Sequence, residues 1–95
     1  MRPYELLLIL PAESDEQVVV RAVERITQTI QGGEGKVDRI DRWGRRRLAY
    51  EIAKQQEGYY LLVEFTADPS ALRELDRVLS LADEVVRFKV VLRAA

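Results

Sequence analysis

A run of three arginines, Arg45, Arg46 and Arg47, follows Trp43 and Gly44 and leads into Leu48, Ala49 and Tyr50. A guanidinium group is planar, grips phosphate oxygens in pairs and stacks on bases, so this segment has the chemistry of nucleic-acid recognition. The charge around it agrees. Residues 36–54 hold seven bases (Lys36, Arg39, Arg42, Arg45, Arg46, Arg47, Lys54) against three acids (Asp38, Asp41, Glu51), a balance of +4. The rest of the chain holds eight bases and thirteen acids, a balance of −5, so a net charge of −1 conceals a segregation by sign. Side chains alternate along an extended strand, which predicts Arg45 and Arg47 on one face and Arg46 on the other. The plainer reading is a solvated edge strand kept from aggregating by its charge. Three arginines beside a tryptophan are more than that purpose needs.

The elements that would position these residues are legible from periodicity. Residues 4–10 form an apolar run closed by Pro11, too short for a helix and suited to a buried central strand. Ser14, with Gln17 three residues on, reads as a capping box, and Asp15 and Glu16 suit the positive end of the helix that follows. Val19, Val23, Ile26 and Ile30 recur at helical spacing, with Val20 and Ala22 beside them, until Gly32, Gly33 and Gly35 end the helix by a left-handed turn. Residues 36–52 read as a long strand, and Val37 and Ile40 are out of step with alternation, which predicts a bulge or a late strand start. Gln55, Gln56, Glu57 and Gly58 suggest a turn. Tyr59, Leu61, Val63 and Phe65 then alternate as a strand. Asp68 is the expected cap of a second helix beginning at Pro69, with Leu72, Leu75, Leu79 and Ala82 as its buried stripe. Val86, Phe88, Val90 and Leu92 alternate with Arg87, Lys89, Val91 and Arg93 in a last strand with one basic face.

Strand, helix, strand, strand, helix, strand is the order of an α+β, ferredoxin-like split βαβ sandwich (βαββαβ). It has a four-stranded antiparallel sheet with both helices on one face. The expected strand order is four-one-three-two, with the first and third strands central and parallel to one another. The expected core includes Leu8, Val23, Ile26, Leu72, Leu75, Leu79, Phe88 and Val90. Ninety-five residues suffice for one such domain, spanning 1–95. The apolar run near the N-terminus is too short for a signal peptide or membrane span, which points to a soluble, cytoplasmic protein.

Catalysis finds little to work with. There is no histidine to serve as a general base, no cysteine, and no asparagine, which the small acyl-phosphate hydrolases of this fold require. A metal site would have to be built of carboxylates alone, and the pairs Asp15–Glu16 and Asp83–Glu84 read as helix-end residues instead. No cofactor, metal or small-molecule substrate is expected. The glycines at 32, 33 and 35 follow a helix rather than precede one, the wrong side for a phosphate loop. The stretch Glu57-Gly58-Tyr59-Tyr60-Leu61-Leu62-Val63-Glu64 begins with an acid where an RNA-recognition motif has a base, and it lacks that motif's third aromatic.

The stretch Trp43-Gly44-Arg45-Arg46-Arg47-Leu48-Ala49-Tyr50-Glu51-Ile52-Ala53-Lys54, followed by Gly58-Tyr59-Tyr60, resembles the bacterial small-subunit ribosomal protein number six family. The opening Met1-Arg2-Pro3-Tyr4-Glu5 and the closing Val85-Val86-Arg87-Phe88 resemble that family's first and last strands, so the likeness spans the chain. It implies a non-catalytic protein that binds the central domain of 16S ribosomal RNA together with small-subunit protein number eighteen. Carried over by position, it makes Arg2, Arg45, Arg47, Lys54 and Arg87 candidates for contact with RNA or with that partner. Arg46 joins them from the basic run itself. Trp43, Leu48 and Tyr50 are assigned to sheet packing or to the protein contact. Glu51 stands where relatives often have proline, and the sequence ends at Ala95 without the long tail of many relatives. The alternative function is a small regulatory ligand-binding domain of the same fold, which would need a pocket between domains and a fused enzyme.

Overall fold

The computed structural model describes residues 1–52 and 55–93, with backbone alone for 48–52, 55 and 56. The elements are Arg2–Pro11 (β1), Glu16–Gly32 (α1), Lys36–Ile52 (β2), Gln55–Ala67 (β3), Ala71–Leu81 (α2) and Arg87–Leu92 (β4). The strands form one sheet in the order β2-β3-β1-β4. This is the ferredoxin-like arrangement, with the expected order four-one-three-two. The expectation that the first and third strands run parallel is wrong, because β1 and β3 pair antiparallel. The crossover through α1 lays β2 in the direction of β1, and the β2–β3 hairpin then reverses the chain once more.

Strict alternation puts the core on one side of the sheet. Tyr4, Leu6, Leu8 and Leu10 of β1 lie opposite Phe65, Val63, Leu61 and Tyr59 of β3. Phe88, Val90 and Leu92 of β4 continue the same rows. Against this face pack Val19, Ala22, Ile26 and Ile30 of α1 and Leu75 and Leu79 of α2, all buried. Of the expected core, Leu8, Ile26, Leu75 and Leu79 are buried, while Val23, Leu72, Phe88 and Val90 are only partly buried at its border. Phe88 and Val90 sit on an edge strand, which has a neighbour on one side only. Both helices therefore cover one face, and the other is left open.

Several local devices differ from their expected form. The cap of α1 is Asp15, not Ser14; its carboxylate accepts from the Val18 N–H at 3.0 Å. The Ser14 hydroxyl is occupied in the preceding turn, donating to the Pro11 carbonyl at 2.6 Å. Asp68 and Pro69 form a tight turn whose carbonyls accept from Ala71 and Leu72, so α2 starts at Ala71 and Ser70 holds the cap position with no side-chain bond. The left-handed residue after α1 is Glu34 (φ 65°), not a glycine. Gly35 serves close packing instead: a Cβ there would lie 2.8 Å from Ile30 Cγ2 and 2.9 Å from the carbonyl oxygens of Ile30 and Thr66. Residues 55–58 are not a turn but the start of β3, with Glu57 opposite Arg47 and Gly58 opposite Arg46. Because β1 reaches only to Gly58, the pairing beyond it is a two-stranded ribbon, which needs no apolar face.

Candidate nucleic-acid and partner interface

The open face of the sheet is read row by row from the strand registers. Nearest the β2–β3 ribbon lie Gly44, Tyr60, Ile9 and Arg87, and the next row holds Asp41, Leu62, Leu7 and Lys89. Arg39, Glu64, Glu5 and Val91 follow, and Lys36, Thr66 and Pro3 close the far end. Each row thus carries one cation, and the carboxylates fall in the second and third rows, away from the ribbon end where Tyr60 lies. Glu5, Leu7, Trp43, Leu62, Lys89 and Val91 line a shallow depression of about 280 Å³, apolar in its floor and charged at its rim. Trp43 and Val91 are 39 % and 40 % exposed there, beside Leu7 and Leu62.

Of the two readings of the broken alternation near Val37, the bulge is the one present, between Val37 and Arg39 in a strand that starts at Lys36, and a second bulge lies between Arg42 and Gly44. Gly44 has φ +77°, a conformation glycine adopts without steric cost. The second bulge has a functional consequence. Trp43 and Arg46 are three residues apart and would point to opposite faces of a regular strand, but the extra residue brings them to the same one. The Trp43 ring stacks on Tyr60, with centroids 6.2 Å apart and planes at 10°, and the Arg46 guanidinium lies 5.6 Å over the indole. The result is a cation–aromatic ladder on the open face. Arg45 and Arg47 turn to the opposite face, beside Tyr59 and Glu57 respectively. The expected division of the three arginines is what the register shows.

Most of the basic segment is answered by carboxylates of the same chain. Arg42 donates to Glu16 of α1 at 2.6 Å, and its guanidinium is held above its ordinary basicity chiefly by that bond. Arg45 Nε donates to Glu57 at 2.5 Å, Arg39 pairs with Asp41 at 3.5 Å, and Lys36 with Asp38 at 4.0 Å. Asp38, in the first bulge, accepts from the Thr66 hydroxyl at 2.7 Å and from Arg93 at 3.1 Å. Thr66 first and Arg93 next hold its carboxyl below the ordinary value. Arg93 also reaches Glu64 at 3.3 Å, and its backbone N–H donates to the Pro3 carbonyl, so it ties the end of β4 across to β2 over the open face. Of the acids at the end of α2, Glu84 accepts from Arg25 at 2.8 Å.

Arg47 is exposed, with no carboxylate partner among the described residues. Arg2 is exposed at the start of β1, opposite Ala67 and far along the sheet from the arginine run. Arg87 is exposed on the open face opposite Ile9, in the row that holds Tyr60. Lys54 lies outside the described residues, as do the side chains of Leu48 and Tyr50. The fold therefore gathers Trp43, Arg46 and Arg87 at one end of the open face, sets Arg45 and Arg47 behind them, and leaves Arg2 apart. Periodicity alone misses Tyr60, Lys89, Leu7, Leu62 and Glu57 as neighbours of this site. A glycine after tryptophan inside a strand was the available signal for the second bulge.

The family described as Ribosomal protein S6 matches residues 3–92. The chain belongs to the ribosomal protein S6 family. It is 45 % identical over 91 residues to small ribosomal subunit protein bS6 of Clostridium perfringens, covering 96 % of each chain. It is 47 % identical over 90 residues to bS6 of Mycolicibacterium paratuberculosis, covering 95 % of this chain and 94 % of that one. The crystal structure of 30S ribosomal protein S6 from Thermotoga maritima matches with a TM-score of 0.89 and 33 % identity, over 97 % of this chain and 87 % of that one. Members of the family are structural proteins of the small ribosomal subunit, not enzymes, and this chain is one of them. Its place is the cytoplasmic ribosome, among ribosomal RNA and other ribosomal proteins. Among the described residues no helix is long and apolar enough to cross a membrane.

Proposed function

We propose that the chain binds the central domain of 16S ribosomal RNA jointly with small-subunit protein number eighteen. The observation that carries this reading is the two-sided basic ribbon: Arg46 with Trp43 and Tyr60 on the open face, Arg45 and Arg47 on the other. One side suits phosphates and the other an apolar, aromatic contact beside the depression lined by Leu7, Leu62 and Val91. Arg2, Arg87 and Lys54 complete the set of RNA or partner contacts. The partner is needed because the unpaired positive charge is small. Outside residues 36–54 the balance is −5, and within them Lys36, Arg39, Arg42 and Arg45 already have carboxylate partners.

Filter binding of a central-domain RNA fragment, with and without the partner protein, tests the proposal. The lone chain is expected to bind weakly at physiological salt and the pair tightly. Nanomolar binding by the lone chain would overturn the joint requirement. A partner protein that leaves affinity unchanged would overturn the pairing itself.

A further inference from the structure

Glu57 is placed where it can decide how strongly the arginine ribbon binds. It stands opposite Arg47 in the β2–β3 register and one step diagonal from Arg45, on the same face as both. Its Oε2 takes the Arg45 Nε–H at 2.5 Å, while Arg47 beside it has no carboxylate partner among the described residues. The side chains of Arg45 and Glu57 are 59 % and 43 % exposed, so the pair contributes little to folding. A carboxylate presents a guanidinium with the same kind of charged acceptor oxygens as a phosphate does.

We propose that Glu57 is an internal stand-in for phosphate that occupies Arg45, lowers the positive potential at Arg47 and so sets how strongly the ribbon holds RNA. This deepens the RNA-binding reading of the ribbon and rests on it. An RNA whose phosphates meet both arginines together displaces the carboxylate with two new contacts for one lost. An RNA offering a single phosphate at a time exchanges one contact for another and gains almost nothing. The cost is one contact in either case; it leaves single-phosphate binding with almost no gain and the matched complex with a net one. Glu16 does not do the same for Arg42, because that pair ties β2 to the start of α1 and leads away from the ribbon.

The test compares wild type with Glu57→Gln, Arg45→Ala, the double variant, and Glu24→Gln. Glutamine keeps the size and an acceptor oxygen while removing the charge. Glu24, on the exposed face of α1, controls for the same change in net charge made elsewhere. The probes are a short polyuridylate and the central-domain fragment with the partner protein, each titrated by fluorescence anisotropy across a salt series. Glu57→Gln is expected to tighten polyuridylate binding about 1.5- to 5-fold, the range for freeing one exposed ion pair. Its salt slope should steepen by roughly 0.7, one further phosphate contact on a single strand. The central-domain complex, which loses the same single contact to Glu57, should tighten by a similar factor. In the Arg45→Ala background the gain should shrink to that of Glu24→Gln. Equal effects of Glu57→Gln and Glu24→Gln in the wild-type background, or a full gain without Arg45, would overturn the proposal. If Arg45→Ala leaves both RNAs bound as before, the RNA reading of the ribbon is what fails, and the proposal falls with it. Thermal melts of each variant establish that all are folded.

Discussion

Replacing Gly35 by alanine should damage the fold, while the same change three residues earlier, at Gly32, should not. A Cβ on Gly35 would lie 2.8 Å from Ile30 Cγ2, 2.9 Å from the Ile30 carbonyl oxygen and 2.9 Å from that of Thr66. Two of the three obstacles are backbone, and the third belongs to a core side chain only 2 % exposed. The Gly35 N–H also donates to the Ile30 carbonyl at 2.9 Å, so backing away would stretch the bond that closes the end of α1. Overpacking of this kind costs about 1–3 kcal/mol, and a weakened hydrogen bond adds up to about 1. Against that, alanine stiffens the unfolded chain and recovers about 0.4–1 kcal/mol. The net expectation is a loss of about 1–3 kcal/mol, roughly 4–8 °C in Tm for each kcal/mol at this chain length. At Gly32, the last residue of α1, nothing lies within 4 Å of the added methyl. Only the entropic gain remains, and Gly32→Ala should stabilise by up to about 1 kcal/mol. Urea unfolding of the two variants settles the matter. A Gly35→Ala protein within about 0.5 kcal/mol of wild type would refute the packing account, as would a Gly32→Ala protein equally damaged.

Leu75→Ala should cost about 2–5 kcal/mol by the same assay, since Leu75 is 1 % exposed between α2 and the sheet; a loss under about 1 would show that the helix face is misassigned. Asp38, whose carboxyl is held below its ordinary 3.8 by Thr66 and then Arg93, stabilises the folded state fully above about pH 4 and less as pH falls through its lowered folded value. Asp38→Asn should therefore flatten the acid limb of a stability–pH curve, and an unchanged limb would contradict the assignment. Arg46→Ala should shift the emission of Trp43, the single tryptophan, because the guanidinium over its ring is lost. An unaltered spectrum would mean that the ladder is not formed in solution. For the complex with RNA and partner, Arg47→Ala should lower the salt slope by roughly 0.7–0.9, and filter binding that shows no change would remove Arg47 from the phosphate contacts.

Alternation and helical spacing were enough to establish the element order and the face of each helix, because burial of apolar side chains leaves a period of 2 or 3.6 that needs no coordinates; the strand order came from crossover handedness, and the relative direction of β1 and β3 was misjudged. The separation of Arg45 and Arg47 from Arg46 follows from the same period and holds in the structure, where no bulge interrupts those three residues. The family likeness was carried by contiguous residues around the arginine run, which a single sequence displays in full. What the tertiary structure decided depends on contacts between residues far apart in the chain. Trp43 shares a face with Arg46 and Tyr60 only because Gly44 takes φ +77° in a bulge. The charge balance of +4 was visible by counting, but its neutralisation by Glu16 and Glu57 was not, since those carboxylates lie 26 and 12 residues from their arginines. The caps at Asp15 and Ser70 moved by one or two residues because Ser14 and Asp68 were already engaged in turns. Local chemistry is written in local sequence; which charges remain available at the surface is settled by what the fold brings beside them.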